Sequence, residues 1–278
     1  MIWIPIGALW LQALQPQVTG GQDKAPSSKQ ADGAQQPAPA EAPDTHPPAV
    51  SGGTPTVTDA AELSAPGWLE FDPGALKDLD RDSMIGTPFT LKVTTNNNRL
   101  QYLLGFDGWE GQGGASGFGE TYPGIHYLFL TQDKKGFDVA GKILLKIPTS
   151  SPSVQGTGRV DYSAFGLVSR DFTKWGLHGD FNVGISSLSR FQSAGYDSQY
   201  MVSGSTTSPI TGGRWQYTNE LVYFSPVAGQ DYHLTMMHGI SYAAHRYATY
   251  SAAIQVGLHG DIPRYQLLFA ASFNVGQL

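Results

Sequence analysis

Residues 174–186, KWGLHGDFNVGIS, alternate in character. Trp175, Leu177, Gly179, Phe181, Val183 and Ile185 share one parity, and Gly176, His178, Asp180, Asn182, Gly184 and Ser186 the other. Successive strand side chains point to opposite faces, so the pattern predicts a strand with one apolar and one polar face. At a helical period His178, Asp180 and Asn182 would scatter among the aromatics. The alternation returns at 137–147, where Val139, Gly141, Ile143, Leu145 and Ile147 oppose Asp138, Ala140, Lys142, Leu144 and Lys146. It returns again at 85–94, 100–107, 231–242 and 265–275. Residues 121–130 are apolar on both parities, interrupted by His126, and 160–169 alternate weakly. Shorter or vaguer strands are predicted at 67–71, 198–204, 215–224 and 250–258, which brings the set to about twelve. Asn96–Asn98, 133–136 and 170–173 read as turns, since Asn and Gly tolerate left-handed backbone. The Gly-rich stretch 109–117 and the stretches after Pro148 and Ser186 read as loops.

The apolar faces must touch either a protein core or lipid. The best strands run about ten residues, which is what a tilted strand needs to cross a bilayer; sandwich strands are nearer five or six. Trp175, Trp215, Tyr242, Tyr250 and Tyr265 sit near strand ends, where amphipathic rings would form girdles at the headgroup level. Charged residues are 14 % and aromatics 12 % of the 278 residues, against roughly 25 % charged in soluble domains. Mean hydropathy is nevertheless −0.22, as expected when lipid-facing and inward-facing residues alternate. These features predict an all-β protein: a transmembrane, antiparallel, up-and-down β-barrel of about 12 strands. A secreted soluble β-sandwich is the alternative architecture.

The N-terminus has a different texture. Residues 1–20 begin with an apolar run, MIWIPIGALWLQAL, and read as an export signal, imperfect because no basic residue precedes the run. Residues 21–65 are a Pro/Ala-rich stretch expected to be a disordered linker, with too few large apolar side chains to offset the entropy of ordering. The barrel is expected over 66–278. Such a chain belongs in the outer membrane of a Gram-negative envelope. Cys is absent, so neither a disulfide framework nor a thiolate metal site is available. A net charge of −6 with no basic stripe argues against nucleic-acid binding. Outer-membrane lipid and a small-molecule solute are the expected partners; the partner of the tail is open, and no cofactor or metal is expected.

Parity then assigns the inner wall. Lys92, Asp107, His126, Lys142, Lys146, His178, Asp180, Glu220, Asp231 and His233 are expected to face the lumen. A charge facing lipid at mid-depth costs about 2–4 kcal/mol, which alone forces it inward. Lys92, His126, Lys142, Lys146, His178, Asp180 and Glu220 are the candidate lumen-lining residues. Lys142 and Lys146 would form a basic ladder able to pair across the lumen with Asp180 and Glu220, either plugging it or setting up a selective field. Enzyme readings fare worse. Gly239-Ile-Ser241-Tyr-Ala243 lacks the second Gly of a nucleophile elbow, and His233 and His238 have opposite parity and cannot chelate one metal from one face.

Short motifs in a fixed order carry a resemblance. Tyr122-Pro-Gly-Ile-His-Tyr127 is followed by Lys142-Ile-Leu-Leu-Lys-Ile-Pro-Thr149, Gly156-Thr-Gly158, the 178–184 strand, Asn219-Glu220-Leu221 and Gly239-Ile-Ser-Tyr242. This order resembles the outer-membrane transporter family named after the meta-cleavage pathway of phenol degradation. The family's usual Gly after Lys-x-Pro-Thr is Ser150 here. The resemblance covers residue 67 onward. It implies a barrel of about twelve strands that passes small aromatic or hydrophobic compounds. A structural or adhesive barrel with a filled lumen is the competing function.

Overall fold

The computed structural model describes residues 56–80, 85–112, 115–152, 157–190, 194–210, 213–227 and 229–278. The expected export signal and most of the expected linker lie outside these residues. Twelve strands form the wall: β1 (Trp68–Asp78), β2 (Phe89–Thr94), β3 (Leu100–Phe106), β4 (Thr121–Leu130), β5 (Asp138–Lys146), β6 (Asp161–Phe172), β7 (Leu177–Ser189), β8 (Tyr196–Pro209), β9 (Trp215–Phe224), β10 (His233–His245), β11 (Ala248–His259) and β12 (Tyr265–Gln277). Each pairs antiparallel with its sequence neighbours, and β1 pairs with β12 from Trp68↔Gln277 to Asp78↔Gln266. The sheet therefore closes on itself, which satisfies every strand edge.

Alternation decides which face is which. On β7, Phe181, Val183 and Ile185 are 44–48 % exposed, whereas Asp180 and Asn182 between them are 6 % and 1 % exposed. The apolar parity thus points outward all round the barrel, through Leu104, Ile125, Ile143, Val202, Leu221, Ile240, Ile254 and Phe269. The polar parity points inward. Among the described residues no second sheet covers the apolar face, and the single sheet closes on itself, so the soluble sandwich is excluded. Aromatic rings gather at both rims. At the end carrying the short turns lie Trp175, Tyr250 and the pair Trp215–Tyr242, whose centroids are 4.6 Å apart. At the other end lie Tyr162, Tyr196, Tyr223 and Tyr265.

Four local features differ from the sequence reading. The first strand runs to Asp78 instead of ending near Phe71; Gly74 bonds to Pro88 O at 2.7 Å, so the chain stays extended past Pro73. The expected 85–94 strand is broken at Pro88 into Ile85–Gly86 and β2, as a residue without an N–H would break it. The Gly-rich 109–117 stretch is a β-hairpin, Trp109–Gln112 paired with Ala115–Phe118. The turn expected at 170–173 falls later: β6 runs to Phe172, and Trp175 belongs to a 3-10 turn, Thr173–Trp175, closed by Gly176 at φ 59°, so β7 starts at Leu177.

The main correction concerns the linker. Residues 56–65, expected to be disordered, lie inside the barrel. Val57, Thr58, Asp59, Ala60, Ala61, Leu63 and Ser64 are all buried, Ala61 completely. The segment joins the wall through a Pro66↔Thr94 bridge at the turn end. Its order comes from the barrel, because ten residues with only Val57 and Leu63 as sizeable apolar side chains cannot bury enough apolar surface by themselves.

Candidate functional site

All seven candidate lumen residues lie on the inner face and are buried: Lys92, His126, Lys142, Lys146, His178, Asp180 and Glu220. Asp107 and His233 face inward near the loop-end rim. Asp107 accepts hydrogen bonds from Tyr122 Oη (2.8 Å) and from Glu120 N (3.1 Å). Asp231 departs from expectation. It lies in the exposed loop before β10 and pairs with His259 Nε2 at 2.8 Å, because β10 begins two residues later, at His233. That hydrogen bond holds the Asp231 carboxyl below its usual range.

The expected ladder of Lys142 and Lys146 facing Asp180 and Glu220 does not form. Most of the inner charges pair instead with cross-strand neighbours, as register dictates. Lys92 Nζ lies 2.6 Å from Asp72 Oδ2 and 3.0 Å from Glu70 Oε1, both on adjacent β1. Lys146 Nζ lies 2.6 Å from Asp161 Oδ2 on β6, and 3.1 Å from Thr157 Oγ1. His178 is held at both ring nitrogens: Nδ1 by Asp171 Oδ1 at 2.6 Å and Nε2 by Asp180 Oδ1 at 2.9 Å. Asp180 also accepts hydroxyl bonds from Ser169 (2.7 Å) and Ser205 (2.9 Å).

Lys142 and Glu220 are different. The carboxylate bound to Lys142 is Asp59, from the internal segment. Glu220 accepts the backbone N–H of Thr58 from the same segment. The wall holds the segment at further points. The Ala61 N–H donates to Ser169 Oγ at 2.7 Å, and Gln101 Nε2 donates to Ser64 Oγ at 2.6 Å and to Thr94 Oγ1 at 2.9 Å. His126 reaches the Ala61 backbone, and Glu62 Oε1 comes within 3.9 Å of His178 Nε2. Ser169, Gln101 and Thr94 were missed from sequence, since nothing about a lone hydroxyl or amide on an inner face marks it as an anchor.

An apolar seat accompanies these polar anchors. Val57, Ala61 and Leu63 pack into one cluster with wall residues that include Leu103, Leu144, Phe165, Leu167, Met201 and Val222. Local backbone makes room for it. Gly184, paired with Phe165 across the β6–β7 ladder, lies beneath that ring; a Cβ there would meet the ring carbon at 2.3 Å. On the far side of the lumen, a smaller cluster of Leu76, Met237, Ala253 and Leu268 is built from wall residues alone. The described interior is thus filled, partly by the wall and partly by the chain's own residues 56–65.

No family model matches the chain, and no curated protein does. Solved structures do. An outer membrane channel from Pseudomonas putida F1 aligns over 77 % of this chain and 97 % of its own, with a TM-score of 0.62 and 12 % identity. The NanC porin aligns over 74 % of this chain and all of its own, with a TM-score of 0.56 and 12 % identity. The KdgM porin aligns over 74 % and 99 %, with a TM-score of 0.51 and 11 % identity. At such identities the likeness is one of fold alone: this chain's closed twelve-strand barrel is similar to the folds of those outer-membrane proteins.

Proposed function

We propose that the chain is an outer-membrane channel for small solutes, closed in this structure by its own residues 56–65. The observation that carries this reading is the nature of the occluder. It is neither a folded domain nor a wall strand but an irregular, bent segment, held by the Asp59–Lys142 and Glu62–His178 pairs, hydrogen bonds to Glu220, Ser169 and Gln101, and three modest apolar side chains. Such a set of contacts can be released without breaking the barrel ladder. The fold shared with outer-membrane channels supports transport as the role, and the motif resemblance to the phenol-pathway transporter family supports small hydrophobic or aromatic compounds as the solutes. The candidate residues would line the path once the segment withdraws.

Planar-bilayer recording of the full chain tests this. A channel gives discrete conducting events separated by closed intervals, and liposome swelling then ranks the solutes. The filled interior also supports a second reading, a structural barrel whose segment never leaves. Folded protein that stays electrically silent over long recordings would favour that reading and refute transport.

A further inference from the structure

The partners of the inner lysines set one of them apart. Lys92 and Lys146 are neutralised by wall carboxylates on adjacent strands. Lys142 is neutralised by Asp59, which the segment brings and would take away. Withdrawal therefore leaves an ammonium on the wall whose counter-charge has gone. The Phe165 ring faces it, with the Lys142 nitrogen 5.4 Å from the ring centroid. Leu144 follows Lys142 by two positions on the same inward parity, and Leu167 follows Phe165 likewise. The vacated seat thus offers a fixed cation beside an apolar, partly aromatic surface. What the segment puts there is a carboxylate, Asp59, flanked by Val57, Ala61 and Leu63.

We propose that the segment is an internal competitor, and that the seat it vacates binds small carboxylates bearing an apolar body, such as an aromatic ring. The carboxylate replaces Asp59 on Lys142, and the body replaces the segment's apolar side chains against Phe165 and its neighbours. Charge pairing and apolar burial are both needed. A short carboxylate gains the first alone and an uncharged aromatic the second alone, so neither displaces the segment. The solute thereby favours the open state, because it binds only where the segment is absent. This rests on the reading of the barrel as a channel, but its test reads segment position and not conduction.

The chain has no cysteine, so Val57→Cys in the full chain places a single thiol on the buried segment. Its rate of reaction with a membrane-impermeant maleimide reports withdrawal. Benzoate is expected to accelerate labelling about tenfold, while acetate and benzyl alcohol at equal concentration leave the rate within about twofold of the unliganded value. In the Lys142→Gln background the benzoate response disappears, and in Lys142→Arg it persists. Equal responses to benzoate and benzyl alcohol would overturn the proposal, as would equal responses to benzoate and acetate, or none at all. The three-probe comparison is made with Lys142 intact, so it stands even if a Lys142 variant fails to fold. Silence in bilayers together with benzoate-accelerated labelling would remove the channel and leave the binding seat. Conduction without a benzoate response would do the reverse.

Discussion

Asp59→Asn is the sharpest single perturbation of the closed state. Asp59 and Lys142 are both nearly inaccessible to solvent, at 4 % and 2 % of their side-chain surface. Removing one member of a buried pair typically costs about 3–5 kcal/mol, because the other charge stays buried without compensation. The open lumen rehydrates Lys142, so most of that cost falls on the closed state and little on the barrel. Taking the low end, about 3 kcal/mol, and a factor of ten per 1.4 kcal/mol, the open-to-closed ratio should rise by roughly a hundredfold. The assay is open probability in planar bilayers at neutral pH, with the heat-dependent electrophoretic shift confirming a folded barrel. Exchanging both partners, Asp59→Asn with Lys142→Met, removes the stranded charge. It should recover part of the closed state, with a coupling of about 1–3 kcal/mol between the two sites. An open probability unchanged by Asp59→Asn would refute the reasoning, since the pair would then not be holding the segment.

Other outcomes follow from the wall. Gly184→Val drives a side chain into the Phe165 ring and should lower barrel stability by about 1–3 kcal/mol in urea titration; Phe165→Leu in the same chain should restore part of it. Phe181→Lys places a charge on the lipid face at mid-strand and should cost about 2–4 kcal/mol in folding into vesicles, whereas Phe181→Leu, which keeps that face apolar, should cost markedly less. Lys92→Met strands Glu70 and Asp72 against each other and should destabilise the barrel by about 3 kcal/mol or more, without raising open probability, because the ion pairs it breaks lie within the wall.

Much of the wall is legible in the chain because lipid and lumen impose opposite demands on neighbouring residues. The 174–186 and 137–147 stretches state that demand plainly, and β7 and β5 follow them. Where both faces meet apolar surroundings the period fades. That is the case at 121–130 and 160–169, whose inner residues Leu128, Phe165 and Leu167 belong to the seat of the segment. Weak alternation there was itself a trace of the occluder, readable only once the occluder is known. The segment could not be read because TVTDAAELSA has the composition of a linker; its order is lent by Lys142, Glu220, Ser169 and Gln101, all more than thirty residues away. The cross-lumen pairing expected for Lys146 failed for a related reason. Parity reports which face a residue occupies, whereas its partner depends on register, which puts Asp161 beside Lys146.

The most direct measurement locks the segment in place. The 2.7 Å bond from Ala61 N to Ser169 Oγ brings the two backbones close enough for a disulfide, whose Cα atoms sit about 4.4–6.8 Å apart. In a chain that otherwise lacks cysteine, Ala61→Cys with Ser169→Cys forms one defined link. Recorded in the same bilayer, the oxidised protein should be silent, and a reductant should bring back conducting events at the level of the unmodified chain. Equal conductance before and after reduction would contradict the withdrawal of residues 56–65 as the step that opens the barrel.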